Sequence, residues 1–220
     1  MPIITVSREI GAGGAYVALK LAEALSYTCV DKELLHEIAK KMGKNQTELT
    51  DFDQDTYSRI SVFFQEALDS IAKGGRVFHT FGMGPLDWEG VDLFRPYPTE
   101  DFEHDEYIDV LRKVVNELAQ KGNVILLGRG CQCILKDVPN VFHLRLVADR
   151  ADRLVRVMEE QKLDKAKAEE LITQRDDSAR AFLLDFFDVA WGDPHLHHLT
   201  INTSRIQLDD CVKLVLKAVS

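Results

Sequence analysis

Apolar residues along this 220-residue chain fall in two rhythms that alternate. Short β-branched or continuous apolar runs occupy 3–6, 27–30, 123–127, 141–147 and 199–201, each of strand length. Between them, apolar residues recur every three or four positions. Tyr16, Val17, Leu19, Leu21, Ala22 and Leu25 form one helical stripe. Leu34, Leu35, Ile38 and Ala39 form a second over Lys32–Lys41, and Ile60, Phe63, Phe64, Ala67, Leu68 and Ile71 a third over Thr56–Lys73. The fourth runs over Asp105–Gln120 through Tyr107, Ile108, Val110, Leu111, Val114, Val115 and Leu118. Leu163–Phe187 is mostly helical, and Leu208–Val219 is the closing helix. Strands alternating with helices predict an α/β fold, a parallel and doubly wound sheet of about five strands. The run at 123–127 is apolar throughout, as expected of a central strand covered on both faces.

The first strand leads into Ser7-Arg8-Glu9-Ile10-Gly11-Ala12-Gly13-Gly14-Ala15. Strand, glycine turn and helix are the layout of a phosphate-binding loop, in which backbone N–H groups and a helix N-terminus face an anion. The match to G-x-x-x-x-G-K-[ST] is incomplete. With Gly13 as the second glycine, Arg8 stands at the first glycine position, Gly14 replaces the lysine and Ala15 replaces the hydroxyl residue. Either the backbone cradle survives without its lysine, or the glycines serve only a tight strand-to-helix turn.

Composition narrows the setting. The net charge of −9 argues against general nucleic-acid binding, which needs a basic surface, but leaves room for a local basic pocket. Apolar runs stay short of a membrane span, and the N-terminus enters a strand at once, so neither a membrane segment nor a signal peptide is expected. Cys29, Cys131, Cys133 and Cys211 lack zinc spacing and read as free thiols of a cytoplasmic protein. His195, His197 and His198 read as a surface cluster with no acidic or cysteine partner spaced for a metal.

Candidate chemistry is mostly cationic. Arg129, between Gly128 and Gly130 at the exit of the central strand, suits a phosphate or else a carboxylate partner. Arg150, Arg153 and Arg156 share a helix face by their spacing of three; they are an anion clamp, or part of a solvated face laced with Asp149, Asp152, Glu159 and Glu160. Arg175 and Arg180 could turn toward a nucleotide on the glycine loop. Asp31 ends the second strand, where open α/β sheets place ligand contacts, and would also cap the next helix. Residues 76–100, rich in Gly and Pro, read as a substrate-side cap or a dimer contact.

Taken in order, Ile4–Gly14, Val30-Asp31-Lys32-Glu33-Leu34, Val124–Gly130, Arg175–Arg180, Trp191-Gly192-Asp193-Pro194 and Thr200–Ser204 resemble the cytidylate-kinase-like family, within the P-loop nucleoside monophosphate (NMP) kinases. The resemblance implies one three-layer domain over 1–220, with an NMP-binding or cap region over 44–100 and a helical lid over 149–187. It implies ATP, with Mg²⁺, on Arg8, Gly11, Ala12, Gly13, Gly14 and Ala15, and Asn202 and Thr203 beside the adenine. It places Asp31, Arg129, Arg175 and Asp176 on the acceptor, and Arg153, Arg156 and Arg180 at the transferred phosphoryl group; no metal ligand is expected from the chain. Gly130 stands where cytidylate kinases carry a pyrimidine-holding Asp. The expected function is ATP-dependent phosphoryl transfer to a nucleoside monophosphate, CMP or dCMP by default. A kinase of another small molecule, or a nucleotide-binding regulator without turnover, remains open, as does a homodimer.

Overall fold

A computed structural model of the chain describes residues 2–30 and 104–220. The expected helices over 32–41 and 56–73, Asp31, expected on the acceptor, and the 44–100 region with its 76–100 segment lie outside the described residues. Five strands form one parallel sheet: β1 (Ile3–Arg8), β2 (Thr28–Val30), β3 (Val124–Leu127), β4 (Val141–Val147) and β5 (Leu199–Asn202), in the order β2-β3-β1-β4-β5. β1 lies between β3 and β4, in register Val6 with Leu127 and with Leu144.

The side-chain alternation of β1 and β3 divides the core. Ile4, Val6, Ile125 and Leu127 turn to the face covered by α1 (Gly14–Leu25) and the closing helix α6 (Leu208–Val219). Ile3, Val124 and Leu126 turn to the other face. There they meet α2 (His104–Lys121), the short α3 (Cys131–Ile134), and Phe182 and Leu183 of α5 (Lys165–Phe187). The stripe expected on α2 is the buried one: Ile108, Val110, Leu111, Val114, Val115 and Leu118. α4 (Arg150–Gln161) and α5 close a third, smaller cluster through Val157, Ala168, Leu171 and Ile172. Helices on both faces of a parallel sheet make the expected three-layer α/β fold.

Several boundaries differ from the periodicity. β1 runs two residues past its apolar stretch, because Ser7 and Arg8 pair with Arg145 and Leu146 of β4. α1 starts at Gly14, earlier than its first apolar residue. α5 begins at Lys165, with the Asp164 side chain accepting from Lys167 N–H at 2.9 Å. α3 is too short to show a period.

Candidate phosphate-binding site

The loop after β1 leaves the sheet through Glu9, whose N–H donates to Leu146 O at 3.1 Å. It then tightens as Ala12 N–H returns to Glu9 O at 3.1 Å. Gly11 and Gly13 hold φ of +76° and +75°, a left-handed conformation that glycine adopts without a Cβ penalty. A Cβ on Gly11 would also stand 2.7 Å from Arg153 O, a backbone atom.

The two sides of this loop are treated differently. Its carbonyls face α4 and the turn after β5. Ile10 O accepts from Arg153 Nε at 2.8 Å, Gly11 O from Arg156 Nη1 at 3.1 Å, and Ala12 O from Thr203 Oγ1 at 3.1 Å. The N–H groups of Gly11, Gly13, Gly14, Ala15 and Tyr16 reach no acceptor among the described residues. The last three open α1, whose first turn has no acidic side chain. Unbonded N–H groups at the positive end of a twelve-residue helix, beyond the carboxyl end of a central strand, are an arrangement that favours an anion.

At the position a lysine would hold, a Cβ on Gly14 would meet Arg8 Cγ at 2.6 Å and Arg8 Cβ at 2.8 Å. The Arg8 stem therefore lies across Gly14. Ala15 has no hydroxyl, so the loop lacks the side-chain oxygen that would meet Mg²⁺. Among the described residues no three His, Cys, Asp or Glu are placed to share a metal ion.

Arg153 and Arg156, expected over an anion, are committed to protein oxygens. Arg153 is 4% exposed; it donates to Asp176 Oδ1 at 2.7 Å and lies 3.4 Å from Glu9 Oε2. Glu9 Oε2 in turn accepts from Ala148 N–H at 3.1 Å. Arg156 donates to Thr203 Oγ1 at 2.9 Å and Thr203 O at 2.8 Å. Thr203 is buried beneath the loop, and Asn202 spends its side chain on Ser204 N–H (2.9 Å) and Asp149 (3.3 Å). Asp176, expected on the acceptor, is buried as the partner of Arg153. These residues hold the loop's carbonyl side in place.

The other candidates are more dispersed. Arg129 has φ +54° between Gly128 and Gly130, and Gly128 N–H donates to Val6 O at 3.1 Å, which brings the end of β3 beside that of β1. Arg175 is half-buried on α5 and engaged with neighbours. Arg180 is exposed, paired with Asp177 at 2.6 Å and stacked on Trp191 with its guanidinium 5.2 Å from a ring centroid.

Two residues that matter here escaped the sequence reading: His143 and Arg145, both buried on β4. Their signal was available, since polar residues two apart in the apolar run Val141–Val147 share one face of the strand. Thr5 Oγ1 meets His143 Nδ1 at 2.7 Å, and His198 stacks on His143 with centroids 5.0 Å apart. Desolvation pushes both His143 and His197 down to about 4, helped at His143 by the neighbouring histidines and at His197 by Arg145. All four cysteines are buried and none is in a disulfide; burial pushes Cys131 up to about 12 and Cys133 to about 11, so neither offers a thiolate at neutral pH.

The class of protein is thus a three-layer α/β fold, with a parallel sheet ordered 2-3-1-4-5 and a glycine turn after its first strand. The chain belongs to the cytidylate kinase-like family, matched over residues 3–205. A search of curated protein sequences gives no match. Among solved structures, an uncharacterized protein from Eubacterium ventriosum is similar over 100% of this chain and 98% of its own, at 18% identity and a TM-score of 0.66, a likeness of fold. Weaker likenesses are TT1252 from Thermus thermophilus (16% identity, TM-score 0.47, 100% and 98% covered) and shikimate kinase from Acinetobacter baumannii in complex with shikimate (15%, 0.45, 100% and 93%). The protein is thus kinase-like and of a nucleotide-binding family. No helix among the described residues is long and apolar enough to cross a membrane.

Proposed function

We propose that this protein transfers the terminal phosphoryl group of ATP to a nucleoside monophosphate, CMP or dCMP by default. The carrying observation is the one-sided loop: its carbonyls are bonded to Arg153, Arg156 and Thr203, while the N–H groups of Gly11, Gly13, Gly14 and Ala15 have no acceptor among the described residues. Those N–H groups would take the polyphosphate, with Gly11, Ala12, Gly13, Gly14 and Ala15 as the cradle. Arg8 supplies the cation that Gly14 lacks. Mg²⁺ would arrive with the ATP phosphates, since Ala15 offers it no ligand; its charge would offset that of the polyphosphate. Phosphoryl transfer asks mainly for positioning and charge stabilisation, so an arginine from the strand end can serve where the loop's lysine is missing.

In this reading Arg153 and Arg156 are positioning residues, Arg180 is the arginine that approaches the transferred group, and Arg175 lies on the acceptor side. Asp31 and Arg129 belong to the acceptor side, with 44–100 as the acceptor-binding region and 149–187 as the lid. A cytoplasmic enzyme, alone or as a homodimer, fits this chemistry. A second reading has its own observation: with Gly14 and Ala15 in place of lysine and hydroxyl, the loop could bind nucleotide without turnover. An acceptor other than a nucleoside monophosphate is the third.

The deciding experiment measures ADP release from ATP and Mg²⁺ with each nucleoside monophosphate in turn. Release with CMP or dCMP is expected. ATP-dependent thermal stabilisation with no release would support the regulator, and no stabilisation by any nucleotide would end the nucleotide reading. Arg8→Ala should lower kcat on the order of 10²–10³-fold. Gly14→Lys combined with Arg8→Gly, which removes the Arg8 Cβ as well as its stem, should restore part of it, whereas Gly14→Lys alone collides with the Arg8 stem and should not help.

A further inference from the structure

Arg145 is 5% exposed, and no carboxylate lies within 4 Å of it among the described residues. Its hydrogen bonds run from Nη1 alone, to Trp191 O at 2.7 Å and, weakly, to Ser7 Oγ at 3.4 Å. Its Nε and Nη2 donate to no described atom, and its guanidinium stacks on Trp191, 4.8 Å from a ring centroid. Glu9 and Asp176, the carboxylates whose charge it feels, are both bound to Arg153 instead. A buried cation without a counter-charge is costly, and a cation–π contact with one carbonyl offsets only part of that cost. Beside it, His197 Nδ1 meets Asp193 O at 3.2 Å, which leaves its buried Nε2 as an acceptor with no partner. His197 is near enough for the Arg145 charge to depress its pKa. Donors are left over on one residue and an acceptor on its neighbour, one strand position behind the start of the glycine loop.

We infer that Arg145, with Ser7, Trp191 and His197, forms a second oxyanion subsite distinct from the glycine cradle, and that it takes the phosphate monoester of the acceptor. A phosphate monoester supplies oxyanions to Nε and Nη2 of Arg145 and, in its singly protonated form, an O–H to His197. The inference rests on the proposed function for there being an acceptor and for the choice of CMP as a probe; the binding of a phosphate monoester does not.

The test measures dissociation constants of CMP, cytidine, inorganic phosphate and ATP for the full chain, for Arg145→Gln and for Arg145→Lys. Arg145→Gln should bind CMP and inorganic phosphate at least tenfold more weakly. Arg145→Lys, which keeps the charge without the fork, should fall between, and ATP and cytidine should change less than twofold. Equal weakening of ATP and CMP would mean that Arg145 only pins the Trp191 turn, and would overturn the inference. Failure of the unaltered protein to bind either CMP or phosphate would overturn it too. If Arg145→Gln does not fold, Arg145→Lys and Ser7→Ala carry the same comparison, and unchanged phosphate affinity in both refutes the subsite. Loss of phosphate binding in Arg145→Gln without ADP release in any assay would uphold the subsite and discard the kinase reading. ADP release with CMP that Arg145→Gln leaves unchanged would do the reverse.

Discussion

Arg153 and Arg145 are both buried arginines behind the glycine loop, and their surroundings are opposite. Arg153 sits among Asp176, Glu9 and Ile10 O, so its charge and its N–H donors are consumed by the protein. Arg145 has a carbonyl, a distant hydroxyl and an aromatic face. The first arrangement joins α4, α5 and the loop into one unit; the second leaves binding capacity unspent. In this fold, burial alone does not mark an arginine as structural. The test is whether its counter-charge is inside the protein.

The contrast breaks most visibly at Arg153. Arg153→Ala strands the buried Asp176 and takes the cation from half-buried Glu9, and should cost about 3–5 kcal/mol, read as the loss of stability in urea unfolding. A cost below ~1 kcal/mol would mean the triad is solvated and not a brace. By comparison, Arg145→Gln removes an uncompensated charge and should change stability far less in the same measurement.

A second handle is acid. His143 has a folded pKa near 4, below the ordinary 6.5, so between these values the unfolded chain binds a proton that the folded one refuses. Stability should therefore fall as pH drops from 6.5 to 4 and gain nothing from this group above 6.5, a total of about 3 kcal/mol. The His143→Gln variant should show a shallower fall over that window in urea midpoints taken at successive pH values. An unchanged slope would mean His143 titrates normally.

A smaller loss than at Arg153 is expected at Thr203. Thr203→Val withdraws a donor from Ala12 O and an acceptor from Arg156, for roughly 1–3 kcal/mol. Because the loop loses its brace, ATP affinity should weaken with it. Reduced stability with ATP affinity intact would separate the brace from the cradle.

The strand–loop–helix unit and the five-strand sheet were legible because period-two and near-four spacings write burial directly into residue order. What stayed hidden is polar and long-range. Arg153 meets Asp176 and Ile10 only after α4 and α5 pack beside β1, so a spacing of three along one helix could not tell a clamp from a brace. Thr203 was expected beside the adenine, yet it lies buried beneath the loop, because the turn after β5 folds under Ala12. Gly14, a departure from the motif in one dimension, acquires a reason in three: the Arg8 stem fills the space.

The central claim, that the N–H side of the glycine loop holds a polyphosphate, is tested most directly by amide ¹H–¹⁵N shifts during an ATP titration. The largest changes should fall on Gly11, Gly13, Gly14 and Ala15, with the N–H resonances moving downfield as they bond to phosphate. Changes confined to other parts of the protein, such as the groove between α1 and α6 lined by Lys20, Asp209 and Lys213, would contradict it.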